Sequence, residues 1–197
     1  MKVSKIGLSV FIFFIMSGCS ALQTSNKYMS INKNLDSQQP GVGRAVIIFE
    51  RENVRIGEFF SFGIWDVSER QNDPMLVGFL HPTMKVMYEV EPGEHYFMVE
   101  FMGRVEMLRA KMKGDSKYYV LMKADSGWKG GSCLLYPIKK GQNNPIEYSN
   151  FGVLTSSQWE RDYIQDARNY MKEAYAKWDN KSEEDKAKLS LSPEDGR

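Results

Sequence analysis

Residues 84–101 read MKVMYEVEPGEHYFMVEF. Met84, Val86, Tyr88 and Val90 alternate with Lys85, Met87 and Glu89, and after the turn at Glu91-Pro92-Gly93 a second run begins. There His95, Phe97, Val99 and Phe101 fall on one face, with Glu94, Tyr96, Met98 and Glu100 on the other. A period of two places alternate side chains on opposite faces of a strand, so the stretch predicts two strands joined by a tight turn.

Working outward, the pattern continues. Residues 45–49 form an unbroken apolar run, residues 59–67 are aromatic and β-branched, and residues 75–80 are apolar between Asp73-Pro74 and His81-Pro82. Residues 105–112 and 117–123 are separated by Lys113-Gly114-Asp115-Ser116, whose Gly and Asp adopt turn conformations at low cost. Residues 132–138 supply a last strand. About eight short strands without intervening helical periods predict a mainly β fold, an antiparallel β-sandwich over residues 44–140, with a parallel sheet disfavoured.

Beyond residue 156 the period changes. Ser157 and Glu160 have capping-box spacing, and Trp159, Tyr163, Ala167, Tyr170, Ala174 and Trp178 recur every three or four residues, widened by Ile164 and Met171. One long C-terminal amphipathic helix is predicted over residues 156–179, its stripe either covering an open face or edge of the sheet or presenting a surface to a partner. Residues 181–197, rich in Ser, Glu, Asp and Lys, are expected to fray as a polar tail.

The N-terminus carries an address. Lys2 and Lys5 precede an apolar run over residues 7–16, the order of a secretory signal, and the run is shorter than the roughly 20 residues that span a bilayer. It ends in Met16-Ser17-Gly18-Cys19. That segment resembles the lipobox of bacterial lipoproteins, which implies cleavage after residue 18 and acylation of Cys19. The Cys thiol, once ionised, is a strong nucleophile able to take a diacylglyceryl group as a thioether, and two or three acyl chains anchor far more firmly than one. Ser20 resembles the residue type that permits sorting to the outer membrane, so its periplasmic side is expected over the inner membrane. Residues 19–43, with Pro40 and few periodic apolar positions, read as a tether spanning on the order of 25 Å, able to dock locally through Tyr28, Met29 and Ile31.

The middle region resembles the domain of unknown function 2846 family, small envelope domains related in style to PEGA β-sandwiches. The carrying features are Arg44-Ala45-Val46-Ile47-Ile48-Phe49, Val77-Gly78, Val90-Glu91-Pro92-Gly93-Glu94-His95 and Lys117-Tyr118-Tyr119-Val120. The resemblance implies a sandwich on an envelope lipoprotein and no activity.

Composition excludes some classes. Removing residues 1–18, with Lys2 and Lys5, takes the formal charge from +1 to −1, and no basic run remains to displace counterions from nucleic acid. With Cys19 lipidated, Cys133 has no disulfide partner and reads as a small buried hydrophobe. His81 and His95 lack metal spacing, no nucleophile elbow occurs, and no cofactor is implied. Glu50, Asp66, Glu89, Glu94 and Glu100 read as solvent-facing strand residues, and Phe59, Phe60, Phe62, Trp65, Tyr118 and Tyr119 as core. The loop Gly127-Trp128-Lys129-Gly130-Gly131-Ser132 lacks a phosphate-loop ending. Trp128, with Lys129 beside it, is the aromatic expected to stand exposed as a binding surface. The expectation is a noncatalytic binding or envelope-assembly module, anchored to membrane through Cys19 and facing an envelope protein or glycan partner. The alternative is a lipid-anchored enzyme acting on cell wall or glycan.

Overall fold

A computed structural model describes residues 28–32, 39–52, 61–82, 84–125, 132–143, 150–154 and 159–197. The chain is mainly β. Eight strands occupy the predicted block: β2 (Ala45–Arg51), β3 (Phe62–Asp66), β4 (Met75–Leu80), β5 (Met84–Val90), β6 (Gly93–Phe101), β7 (Arg104–Met112), β8 (Ser116–Asp125) and β9 (Ser132–Pro137). Among the described residues three more lie outside it: β1 (Met29–Asn32), β10 (Asn150–Leu154) and β11 (Ser190–Leu191). Two helices close the chain, α1 (Trp159–Asp179) and α2 (Glu183–Lys188), followed by a 3-10 turn at Pro193–Asp195.

The strands form a six-stranded sheet, in the order β1-β10-β5-β2-β8-β9, and a five-stranded sheet, in the order β11-β7-β6-β3-β4. Both are mixed, which corrects the antiparallel expectation. In the centre of the larger sheet β2 and β8 run parallel from Ala45↔Ser116 to Arg51↔Met122. The cause is local. Gly43 N–H donates to Asp115 Oδ1 at 2.8 Å and Asp115 N–H donates to Arg44 O at 2.6 Å, so both strands leave one bolted corner in the same direction. A Cβ on Gly114 would stand 2.7 Å from Gly43 O, so only glycine allows the corner to close.

The period of two in residues 84–101 is real, but the two strands do not pair. β5 is flanked by β10 and β2, β6 by β3 and β7, so the Pro92-Gly93 turn carries the chain from one sheet to the other. A hairpin does form next, between β6 and β7, with Gly93↔Met112 through Phe101↔Arg104 in register. Its two-residue loop, Met102 at φ 51° and Gly103 at φ 74°, has the positive dihedrals that match the twist of paired strands.

The sheets face each other across one apolar cluster. Ala45, Ile47, Phe49, Val86, Tyr118 and Val120 come from the larger sheet, and Phe62, Ile64, Phe97, Val99, Leu108 and Ala110 from the smaller. Edge-on contacts such as Phe49 with Phe97, at 5.4 Å and 72°, fit aromatic quadrupole preferences. The opposite face of the smaller sheet is also apolar, and α1 covers it. Ala167, Met171, Ala174, Tyr175 and Trp178 pack on Trp65, Val67, Leu76, Phe79, Met98 and Met107. Burying each large side chain fully contributes about 1.5–3 kcal/mol. Tyr175 hydroxyl donates to Val67 O, and Arg70 forks onto Asp179 at the helix end while Arg168 forks onto Asp73 at mid-helix. The helix ends one residue beyond the stripe read from the sequence, and Tyr175 is the core position that reading missed. Ser157 of the expected capping box lies outside the described residues.

The tether and tail are partly built into the fold. Tyr28 is buried against Phe79 and Tyr163, and Met29–Asn32 pairs with β10. The tail does not fray. Ser182 caps α2 by accepting from Asp185 N–H at 3.1 Å, β11 runs parallel to β7, and the Arg197 backbone exchanges hydrogen bonds of 2.8 and 3.0 Å with Lys117 of β8. Residues 190–197 thus cover strand edges of both sheets.

Candidate functional site

The seam where the tail crosses from β7 to β8 carries two adjoining depressions. The larger, about 620 Å³, lies around the β9 edge, lined by Leu121, Leu135, Tyr136, Pro137 and Ile138, with Leu189 from the tail and a rim of Lys123, Lys139 and Lys188. The strand period explains it. Cys133 and Leu135 point into the core, while Leu134 and Tyr136 face out, 40% and 43% exposed. Lys123 Nζ sits 5.4 Å above the Tyr136 ring and pairs with Glu52 at 2.9 Å.

The smaller depression, about 340 Å³, is lined by Arg109 and Lys111 of β7, Lys139, and Ser190, Ser192 and Pro193 of the tail, with Glu94 opposite. Glu94 and Lys111 are cross-strand partners, as are Tyr96 and Arg109. Arg109 Nε donates to Ser190 Oγ at 3.2 Å, and its guanidinium lies 6.0 Å from the Trp178 ring. Lys139 Nζ donates to Ser190 O and lies 3.5 Å from Asp195. Burial alone would raise the Asp195 pKa. Hydrogen bonds from Ser192 and from Lys140 N–H, with the Lys139 charge, outweigh it and hold the carboxyl below 3.8. Both depressions are of small-ligand size. Guanidinium and ammonium groups beside hydroxyls can bind and orient an anion, and the neighbouring surface can take an apolar body.

The residues singled out in the sequence are dispersed. Cys19, Trp128, Lys129, Phe59 and Phe60 lie outside the described residues. Phe62, Trp65 and Tyr118 are core, and Tyr119 packs on the outward cluster of Val46, Ile48 and Phe151. Cys133 is buried, and burial pushes its thiol well above the ordinary range despite the Arg51 charge nearby. Such a thiol is not a ready nucleophile. Arg51, unremarked in the sequence, is itself buried at the end of β2, its guanidinium 4.9 Å above Phe62, and burial lowers its pKa to about 10, so it stays charged at neutral pH.

The acidic residues are individually engaged. Glu50 is not solvent-facing, as its strand position suggested, but buried with Lys85 at 3.3 Å. Glu89 accepts from Gly41 N–H at 2.9 Å, Glu94 from Tyr96 hydroxyl at 3.1 Å, and Glu100 from Gly103 N–H at 2.8 Å. Among the described residues two Ser–His contacts occur, Ser68 with His95 at 3.3 Å and Ser61 with His81. Ser68 gives its proton to Asp66 at 2.6 Å and accepts from Tyr96 N–H at 3.0 Å, while His95 Nε2 donates to Glu91 O at 2.9 Å. The carboxylate therefore orients the serine rather than the histidine, the reverse of nucleophile activation. Ser61 Oγ lies 2.7 Å from His81 Nδ1, one step beyond the Phe62↔Leu80 pair that ends the β3–β4 ladder. Among the described residues no three His, Cys, Asp or Glu side chains converge to hold a metal, and no helix is long and apolar enough to cross a membrane.

Tyr136, Lys139, Arg109 and the tail serines were not singled out in the sequence. The strand read over residues 132–138 contained Tyr136, and nothing marked the others, because the partner surface comes from a segment read as fraying. No family model matches the chain, and no curated protein matches it.

Proposed function

We propose that this chain is a noncatalytic binding module of a bacterial envelope, a β-sandwich of the style implied by its middle region, anchored by lipid on Cys19. The tether holds it on the periplasmic side of the outer membrane, where it takes a ligand from the envelope. The observation that carries the reading is the seam itself, in which an exposed tyrosine and apolar floor adjoin a pocket of cations. The anchor rests on Met16-Ser17-Gly18-Cys19 behind a basic and apolar leader. Cys19→Ala, expressed in the native host, tests it. Intact mass should fall by the lipid and the protein should leave the membrane fraction; an unchanged mass and distribution would refute the anchor.

One observation favours the alternative, a lipid-anchored enzyme acting on cell wall or glycan: the Ser61–His81 contact. A fluorophosphonate probe labels an activated serine. The binding-module reading expects no labelling of Ser61, and labelling abolished by His81→Gln would replace it with a hydrolase.

A further inference from the structure

Lys139 lines both depressions, which differ in chemistry, and that juxtaposition constrains what could fill both. Arg109 and Lys111 form no ion pair among the described residues, whereas Lys123, Lys139, Lys177, Lys181, Lys186 and Lys188 each have a carboxylate within 4.0 Å. Glu94, the one carboxylate lining the smaller pocket, is occupied by the Tyr96 hydroxyl. Arg109 is also preset. With Nε committed to Ser190 and the guanidinium also hydrogen-bonded to the Tyr96 hydroxyl beside Trp178, the group is held in place and its remaining terminal N–H groups can reach an oxyanion. Next to these cations lies apolar surface exposed to water at Tyr136.

We propose that the seam binds an anionic amphiphile, its phosphate or carboxylate held by Arg109 and Lys111 and its apolar part passing Lys139 to lie along Tyr136 and Leu121. The proposal rests on the binding-module reading and names its ligand class. The same chemistry is met in a membrane phospholipid headgroup and in a soluble alkyl phosphate or fatty carboxylate.

The full chain is titrated calorimetrically at low ionic strength with hexyl phosphate, hexyl glucoside and inorganic phosphate. Hexyl phosphate should bind about tenfold more tightly than either of the others, because it alone engages both depressions. Arg109→Gln and the more exposed Lys111→Gln should each weaken hexyl phosphate about three- to tenfold and leave hexyl glucoside unchanged. Tyr136→Ala should weaken both amphiphiles and spare inorganic phosphate. Flotation of Cys19→Ala with phosphatidylglycerol vesicles, lost in Arg109→Gln, assigns the ligand to a lipid headgroup; hexyl phosphate binding without flotation assigns it to a soluble anion. Equal affinity for hexyl phosphate and hexyl glucoside, or no effect of either cation variant, overturns the anionic class and leaves the groove as a binding surface. Failure of every probe to bind removes the seam as the working surface as well.

Discussion

The two C-terminal segments dock on the same molecule by different means. Helix α1 lies on a sheet face and is held by side chains, with Trp178 edge-on to Tyr96 at 6.0 Å and 84° and Ala174 and Met171 beneath it. The tail after it lies along strand edges and is held by backbone. Arg109 N–H reaches Leu189 O, Arg197 pairs with Lys117, and Asp195 closes the turn, while Leu191 alone reaches the core between the sheets as a fully buried side chain. A face is closed by apolar area, an edge by hydrogen bonds. The first mode scales with the side chains spent on it, the second with the peptide groups that would otherwise stay unpaired.

The largest effect should come from the face. Trp178→Ala should cost about 3–5 kcal/mol in urea unfolding, as buried tryptophan truncations do. A cost below 1 kcal/mol would mean that the helix is an appendage. Asp195→Ala removes the acceptor for two backbone amides and one hydroxyl and should cost about 1–2 kcal/mol. Its signature is spatial: hydrogen exchange should rise at Ser192, Lys140 and Lys117 and stay low along α1. Protection lost in both places at once would show that tail and helix form one cooperative unit.

Acid should separate them without mutation. The folded Asp195 carboxyl titrates below the ordinary 3.8, so its contribution is complete above that value and disappears as pH falls through the lower folded one. Tail amides should therefore lose protection below about pH 4 before α1 does, and Asp195→Asn should abolish that step. The smallest effect is expected from the exposed forks. Arg70→Ala and Arg168→Ala each break a two-bond contact to an exposed carboxylate, and the unfolding midpoint should move less than in any variant above. A larger shift would make electrostatics, rather than apolar area, the agent that seats the helix.

This contrast also explains what could be read from the residues. Helix α1 was legible because a face leaves a trace in side-chain spacing: Ala167, Ala174 and Trp178 recur at helical intervals whatever they pack against. The strands of residues 44–140 were legible for the same reason. Pairing was not. The alternation at Val86 and Val99 is indifferent to whether β5 meets β6, and the parallel join of β2 and β8 depends on a corner between Gly43 and Gly114, residues far apart in the chain. Edge docking was least legible, because backbone amides are the same in every residue and a Ser- and Lys-rich tail looks solvated until a sheet edge is put beside it. Tyr136 and Arg109 went unnoticed as site residues because the surfaces they belong to are completed by that tail.

The bolted corner has a consequence for how the chain reaches its final form. β2 is apolar on both sides of its ribbon, and its parallel partner begins at Ser116, only after β3 to β7 have been made. Long-range pairing of this kind slows folding, since the loop must close before its contacts repay the lost entropy. Until β8 is made, one edge of the run Ala45-Val46-Ile47-Ile48-Phe49 therefore stays unpaired, and the run has the uncharged β-forming composition from which cross-β assemblies nucleate. Aggregation of the incompletely folded chain would be expected to begin there.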